Sequence, residues 1–160
     1  MSDEKDDVKE ELQGYKAKIT PVTKVELTWS RDLVFLGRTP QGYELDFDAD
    51  AQWGCKPTEA LLMSLGGCMA IDIVSILKKM RMDIRRLRID IAGERNPDPP
   101  QYFKAVEMTL HLAGQNLDAR RIDRAIALSR EKYCSVYNSL RPDLDLKVHY
   151  TLEETKSASP

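Results

Sequence analysis

From Pro57 to about Met80 the chain reads PTEALLMSLGGCMAIDIVSILKKM, and between Ala60 and Leu77 the only polar side chains are Ser64, Asp72 and Ser75. A helix this apolar wants protein on almost every side, so the rest of the fold has to be arranged around it. The segment is long enough to resemble a membrane span. Asp72 near its centre would, however, cost about 2.5–3.5 kcal/mol in a bilayer, and Gly66-Gly67 weakens an isolated helix further. The expectation is therefore the buried central helix of a soluble domain. Pro57 suits the first helical position, Glu59 the positive N-terminal end, and Lys78 and Lys79 the C-terminal end.

The flanking sequence is rich in β-formers. VTKVELTW (Val22–Trp29) predicts a first strand, Ser30-Arg31-Asp32 a turn, and LVFLG a second strand. After a turn at Pro40-Gln41-Gly42, YELDFDA alternates with period two and predicts a third. Residues 50–56 form a loop containing Trp53, Gly54 and Cys55. Beyond the helix, IRRLRIDIAGE has Ile84, Leu87, Ile89 and Ile91 as its apolar set, with a slip near its start. A strong turn at Asn96 to Pro100 precedes FKAVEMTLHLAG, which places Val106, Met108, Leu110 and Leu112 on one face. These two runs predict a hairpin. A second long helix starts at Asn116 to Asp118, one of which caps it, and carries Ile122, Ile126, Tyr133 and Tyr137 at helical spacing. After Pro142, LDLKVHYTLEE predicts a last strand with Leu144, Leu146, Val148, Tyr150 and Leu152 inward. The order β-β-β-α-β-β-α-β describes an α+β domain. One small sheet and one other helix cover the central helix poorly, which predicts a homodimer that wraps it.

With 160 residues, 42% hydrophobic and 31% charged, the chain can build one core and remain soluble. Residues 1–20 read as an acidic tail or short helix, 21–154 as the domain, and 155–160 as a polar tail. Residues 1–11 hold six acidic residues and two lysines, a sum of −4, which leaves +2 for the remainder of a chain whose total is −2. A near-neutral body gives no reason to expect nucleic-acid binding. The basic cluster Lys78, Lys79, Arg81, Arg85, Arg86 and Arg88 reads as a helix end followed by the wet face of a strand. No basic leader with an apolar run opens the sequence, which predicts a cytoplasmic, reducing setting. Three cysteines without a CxxC spacing suggest neither a disulfide scaffold nor a zinc site.

Cys68 lies inside the apolar helix and Cys134 lies 66 positions later, near the end of the second helix. A thiolate that attacks a peroxide becomes a sulfenic acid, and a neighbouring thiol condenses with it to a disulfide. Two thiols on two helices are a layout for that chemistry. A buried cysteine also packs as a small inert hydrophobe, so reactivity requires a cation nearby. Asp72, one helical turn from Cys68, would oppose a thiolate. Arg31 in the first turn is the candidate cation, with Arg38 second. Gly66-Gly67 before Cys68 reads either as tight helix packing or as room for a backbone or substrate to approach. Cys55 is an extra thiol in a loop. His111 and His149 fall on the polar side of alternating strands, which argues against a Cys-His nucleophile or a metal site.

PTEALLMSLGGCMAIDIVSILKK around Cys68, LSREKYCSV around Cys134 and TPQGYELDFDA before the loop resemble the OsmC/Ohr superfamily of osmotically inducible and organic hydroperoxide resistance proteins. The YhfA-like branch is most similar. The resemblance runs from about Thr23 to Glu153. It implies an intertwined homodimer with the sites at the subunit interface, Cys68 as the peroxidatic cysteine and Cys134 as the resolving one. It also implies an arginine from the first hairpin turn, matched by Arg31, and a glutamate near the helix start. The motif position for that glutamate holds Thr58, and Glu59 lies one step away, about 100° around the helix. The implied activity is reduction of an organic hydroperoxide, with a small or protein-bound dithiol as reductant and no cofactor. The competing implication is a non-enzymatic dimer of the same fold that holds an apolar small molecule at the interface.

Overall fold

A computed structural model describes residues 21–155. The expected acidic tail 1–20 and residues 156–160 lie outside the described residues. The fold is α+β in the expected element order, and the chain divides into two compact units at Leu61/Leu62.

The first unit is an antiparallel meander of β1 (Glu26–Arg31), β2 (Val34–Arg38) and β3 (Glu44–Asp48). Glu26 pairs with Arg38, the last residue of β2, so the β-forming residues 22–25 have no β2 residue opposite them and the first strand starts later than expected. The strand also ends later: Arg31 is its last residue, and the turn is at Asp32-Leu33, with Asp32 at φ 43°. Leu27, Trp29, Phe35, Leu45 and Phe47 share one face, since Trp29 pairs with Phe35, Phe35 with Phe47, and Leu27 and Leu45 both pair with Gly37. That face is largely exposed, with Trp29 at 65% and Leu27 at 60%. The following loop is organised by the buried Asp48, whose carboxylate accepts the N–H groups of Asp50, Gln52 and Trp53 at 2.9–3.0 Å.

Helix α1 (Pro57–Lys79) starts as expected. It ends one residue early, in a Schellman closure: Met82 N–H bonds to Leu77 O, Arg81 N–H to Lys78 O, and Arg81 takes the left-handed conformation at φ 58°. In the second unit its inner face is core, with Leu65, Met69, Ile73, Ile76 and Leu77 at 1% exposure or less. Among the described residues, nothing covers the opposite side. Met63 and Ile71 are each 55% exposed, and Ala70, Ile71, Val74, Ser75, Lys78 and Leu87 line an open groove of about 580 Å³.

Strands β4 (Asp83–Arg95), β5 (Phe103–Gln115) and β6 (Asp145–Glu154) form the second sheet in the order β4-β5-β6. The slip near the start of β4 is a bulge, with a register shift between Ile84 and Arg86 that restores Leu87, Ile89 and Ile91 to one face. Val106, Met108, Leu110 and Leu112 are buried as expected. β6 pairs parallel with β5, because a helical crossover joins them. Its inward set stops short: Leu144 and Leu146 are buried, while Leu152 is 41% exposed. Leu152 lies two residues past Tyr150, whose hydroxyl reaches the Asp123 carboxylate at 2.9 Å.

The crossover departs most from expectation. Helix α2 (Ala119–Leu128) is capped by Asp118, whose Oδ1 accepts Arg121 N–H at 3.0 Å. Asn116, the other candidate cap, lies outside the helix at φ 54°. A π-helical turn follows over Ser129–Tyr133, Cys134 is extended (φ −71°, ψ 99°), and a short helix α3 (Ser135–Asn138) completes the segment. The single helix expected through Tyr137 is therefore broken at Cys134.

Candidate functional site

Within the second unit, Cys68 and Asp72 lie one turn apart on α1 and face the π-helical turn of the crossover. The Cys68 sulfur, the Cys134 sulfur and an Asp72 carboxylate oxygen all lie within 4.8 Å of one another. Two cysteines far apart in sequence thus meet beside a carboxylate, with both thiols free. Cys68 is half-buried; Cys134 is fully buried and Asp72 nearly so.

The local backbone fixes the Cys134 sulfur. The wide π turn lets Cys134 N–H close on Ser129 O at 2.7 Å. The break then makes Cys134 the N-cap of α3, and its Sγ accepts Tyr137 N–H at 3.3 Å. Asn138 Nδ2 donates to the Cys134 carbonyl at 2.9 Å. Burial pushes the Cys134 thiol up to about 12; the Tyr137 N–H opposes this, while Cys68 and the Asp72 charge add to it. At neutral pH Cys134 is a protonated thiol. The carboxylate is fixed too, since the buried Ser129 hydroxyl donates to Asp72 Oδ2 at 3.1 Å.

Gly66 and Gly67 have different jobs. A Cβ at Gly66 would fall 2.3 Å from Ile91 Cδ1, so this glycine brings α1 close to β4; a Cβ at Gly67 meets nothing within 4 Å. The tight-packing reading left open by the sequence therefore applies to Gly66, while Gly67 borders open space.

The other expected site residues belong to the first unit. Arg31 holds its guanidinium 5.1 Å from the Trp53 ring centroid and helps depress the Asp48 carboxyl, behind the backbone N–H groups of Asp50 and Trp53. Arg38 is paired with Glu44 opposite it, Nε to Oε1 2.9 Å. Glu59 Oε2 accepts Lys56 N–H at 2.8 Å, the return bond of a capping box. Cys55 is tied to β3 by a bridge to Phe47, and its thiol donates to Asp46 O at 3.6 Å. His111 and His149 sit in cross-strand contacts with Asp90, Thr151 and Glu107.

Sequence reasoning missed Ser129 and cast Asp72 only as an opponent of the thiolate. The spacing of Asp72 from Cys68 was visible, but nothing in the sequence marks Ser129 as its partner. The same cluster has the number and kind of donors that could hold a thiophilic metal ion, which the cysteine spacing did not suggest.

Residues 48–149 match the family model described as OsmC-like protein. The chain belongs to the OsmC-like family. Within it, protein YhfA of Escherichia coli K12 is 33% identical over 128 residues, covering 79% of this chain and 96% of the relative. A protein of Aquifex aeolicus VF5, known from its crystal structure, is 30% identical with a TM-score of 0.78, over 86% of this chain and 100% of that one. The organic hydroperoxide resistance protein OhrB of Bacillus subtilis shares the OsmC-like fold at 16% identity, with a TM-score of 0.57 over 81% and 98% of the two chains.

Proposed function

We propose that the protein is a cytoplasmic, homodimeric thiol peroxidase that reduces organic hydroperoxides in oxidative-stress defence. The observation that carries this reading is the meeting of the Cys68 and Cys134 sulfurs within 4.8 Å, beside Asp72. A disulfide needs about 2.05 Å between sulfurs, so closure requires a movement of at most roughly 2.8 Å.

In this reading the Cys68 thiolate, supported by Arg31, attacks the distal oxygen of ROOH. The O–O bond breaks, Cys68 becomes a sulfenic acid, and the alkoxide leaves as ROH after taking a proton. Cys134 then displaces the hydroxyl as water and forms the Cys68–Cys134 disulfide. Its proton must leave first, and Asp72, a carboxylate in the same cluster, can accept it. A dithiol reductant reopens the disulfide by exchange. Glu59 already accepts Lys56 N–H through Oε2, which leaves Oε1 for any part it takes. The exposed side of α1 and the exposed apolar face of the first sheet support the dimer.

One observation favours a second reading, a non-enzymatic dimer that binds an apolar small molecule. The α1 groove is mostly apolar, lined by Ala70, Ile71, Val74 and Leu87 with Ser75 and Lys78. Thiol counting after one equivalent of an alkyl hydroperoxide separates the two. Rapid loss of two thiols per chain, abolished by Cys68→Ser, is the peroxidase result. Three thiols that survive the dose would sink it.

A further inference from the structure

We propose that the reduced protein binds one thiophilic divalent cation of the zinc class through Cys68 Sγ, Cys134 Sγ and an Asp72 carboxylate oxygen. These atoms already lie within 4.8 Å of one another. In a tetrahedral zinc site, with sulfur at about 2.3 Å and oxygen at about 2.1 Å, ligand atoms stand roughly 3.5–3.8 Å apart. Side-chain rotations of about 1 Å therefore close the cage. The donor set of two sulfurs and one oxygen selects zinc or cadmium over magnesium or calcium. Three protein ligands leave the fourth position to water. Half-buried Cys68 marks the side of entry.

The surroundings resemble a built site more than a chance meeting of side chains. Ser129 Oγ holds Asp72 Oδ2 at 3.1 Å, the outer-shell bond that orients a ligating carboxylate. Tyr137 N–H holds the Cys134 sulfur at 3.3 Å. Two thiolates and a carboxylate would repel one another in a buried space, and a dication relieves all three at once. Binding releases thiol protons and needs no oxidant. It occupies the sulfurs that peroxide would oxidise, so cation and peroxide exclude each other.

The reduced full-length chain is titrated with Cd²⁺, read by the ultraviolet sulfur-to-cadmium band, and with Zn²⁺ against a competing chelator. The expected result is one ion per chain with proton release, unchanged in Cys55→Ser, without the sulfur band in Cys68→Ser, and absent once the thiols are oxidised. Ser129→Ala weakens binding about 10- to 100-fold, and Asp72→Asn, which alters a ligand itself, weakens it at least as much. Ser129→Ala decides alone if Asp72→Asn does not fold by circular dichroism. Absence of the band, or wild-type affinity in Ser129→Ala, overturns the site. Cadmium binding without peroxide reduction keeps this inference and removes the peroxidase; peroxide reduction without the band does the reverse.

Discussion

The Ser129 hydroxyl donates to Asp72 Oδ2 over 3.1 Å and joins the end of α2 to the middle of α1 across 57 positions of sequence. Both residues are buried. Removing the hydroxyl takes a donor from a buried carboxylate and fills its place with nothing. Ser129→Ala is expected to cost about 1–3 kcal/mol, the price of a lost buried hydrogen bond. Urea unfolding reads this as a lower midpoint at unchanged slope. An unmoved midpoint would show that the bond contributes nothing to stability.

Cys134 predicts a pH effect. Its thiol is pushed up to about 12 in the fold, from an ordinary value of 9.0, chiefly by burial. The folded chain therefore holds this proton where the unfolded chain has released it. The contribution to stability is complete below pH 9 and is lost as pH rises toward 12. Other groups titrate in the same range, so the measurement is the difference between wild type and Cys134→Ser. The wild type is expected to lose more stability than the variant between pH 9 and 11. Parallel curves would contradict the buried, protonated thiol.

The glycine pair can be separated by substitution. Alanine at Gly67 meets nothing within 4 Å, so the gain in helix propensity stands alone, about 1 kcal/mol. Alanine at Gly66 carries the same gain but meets Ile91 Cδ1 at 2.3 Å, and overpacking costs about 1–3 kcal/mol. Ile91→Val deletes that atom, so Gly66→Ala is expected to be better tolerated in the Ile91→Val background. Additive effects in the double-mutant cycle would rule the contact out.

The central helix, the bulge in β4 and a cap at Asn116 or Asp118 were legible because each is written in a short stretch of chain; the Arg121 N–H bond settles the cap on Asp118. Residues 22–25 were not, because strand propensity needs a partner and β2 ends opposite Glu26. The break at Cys134 was hidden for a related reason. LSREKYCSVYN is acceptable helix throughout, and bonds of Ser129 O and Tyr137 N–H to Cys134 decide where it stops. The meeting of the two sulfurs with Asp72 depends on that break. The sequence offered two cysteines and an expectation, and the geometry came from tertiary bonds.

Arg31 provides the sharpest test of the proposed chemistry. The sequence places it in the first turn, whereas it stands at the end of β1 with its guanidinium over Trp53. If it supports the Cys68 thiolate, Arg31→Ala lowers the second-order rate with an alkyl hydroperoxide by about tenfold or more, equivalent to about 1.4 kcal/mol of barrier. Glu59→Gln is the contrasting variant, because its carboxylate is engaged with Lys56 N–H. It is expected to lower stability by a fraction of a cap, about 0.5 kcal/mol, with the peroxide rate within a factor of two. Stopped-flow loss of the Cys68 thiol measures both rates. Equal rates in wild type and Arg31→Ala would remove Arg31 from the site, and a large loss in Glu59→Gln would restore the glutamate to it.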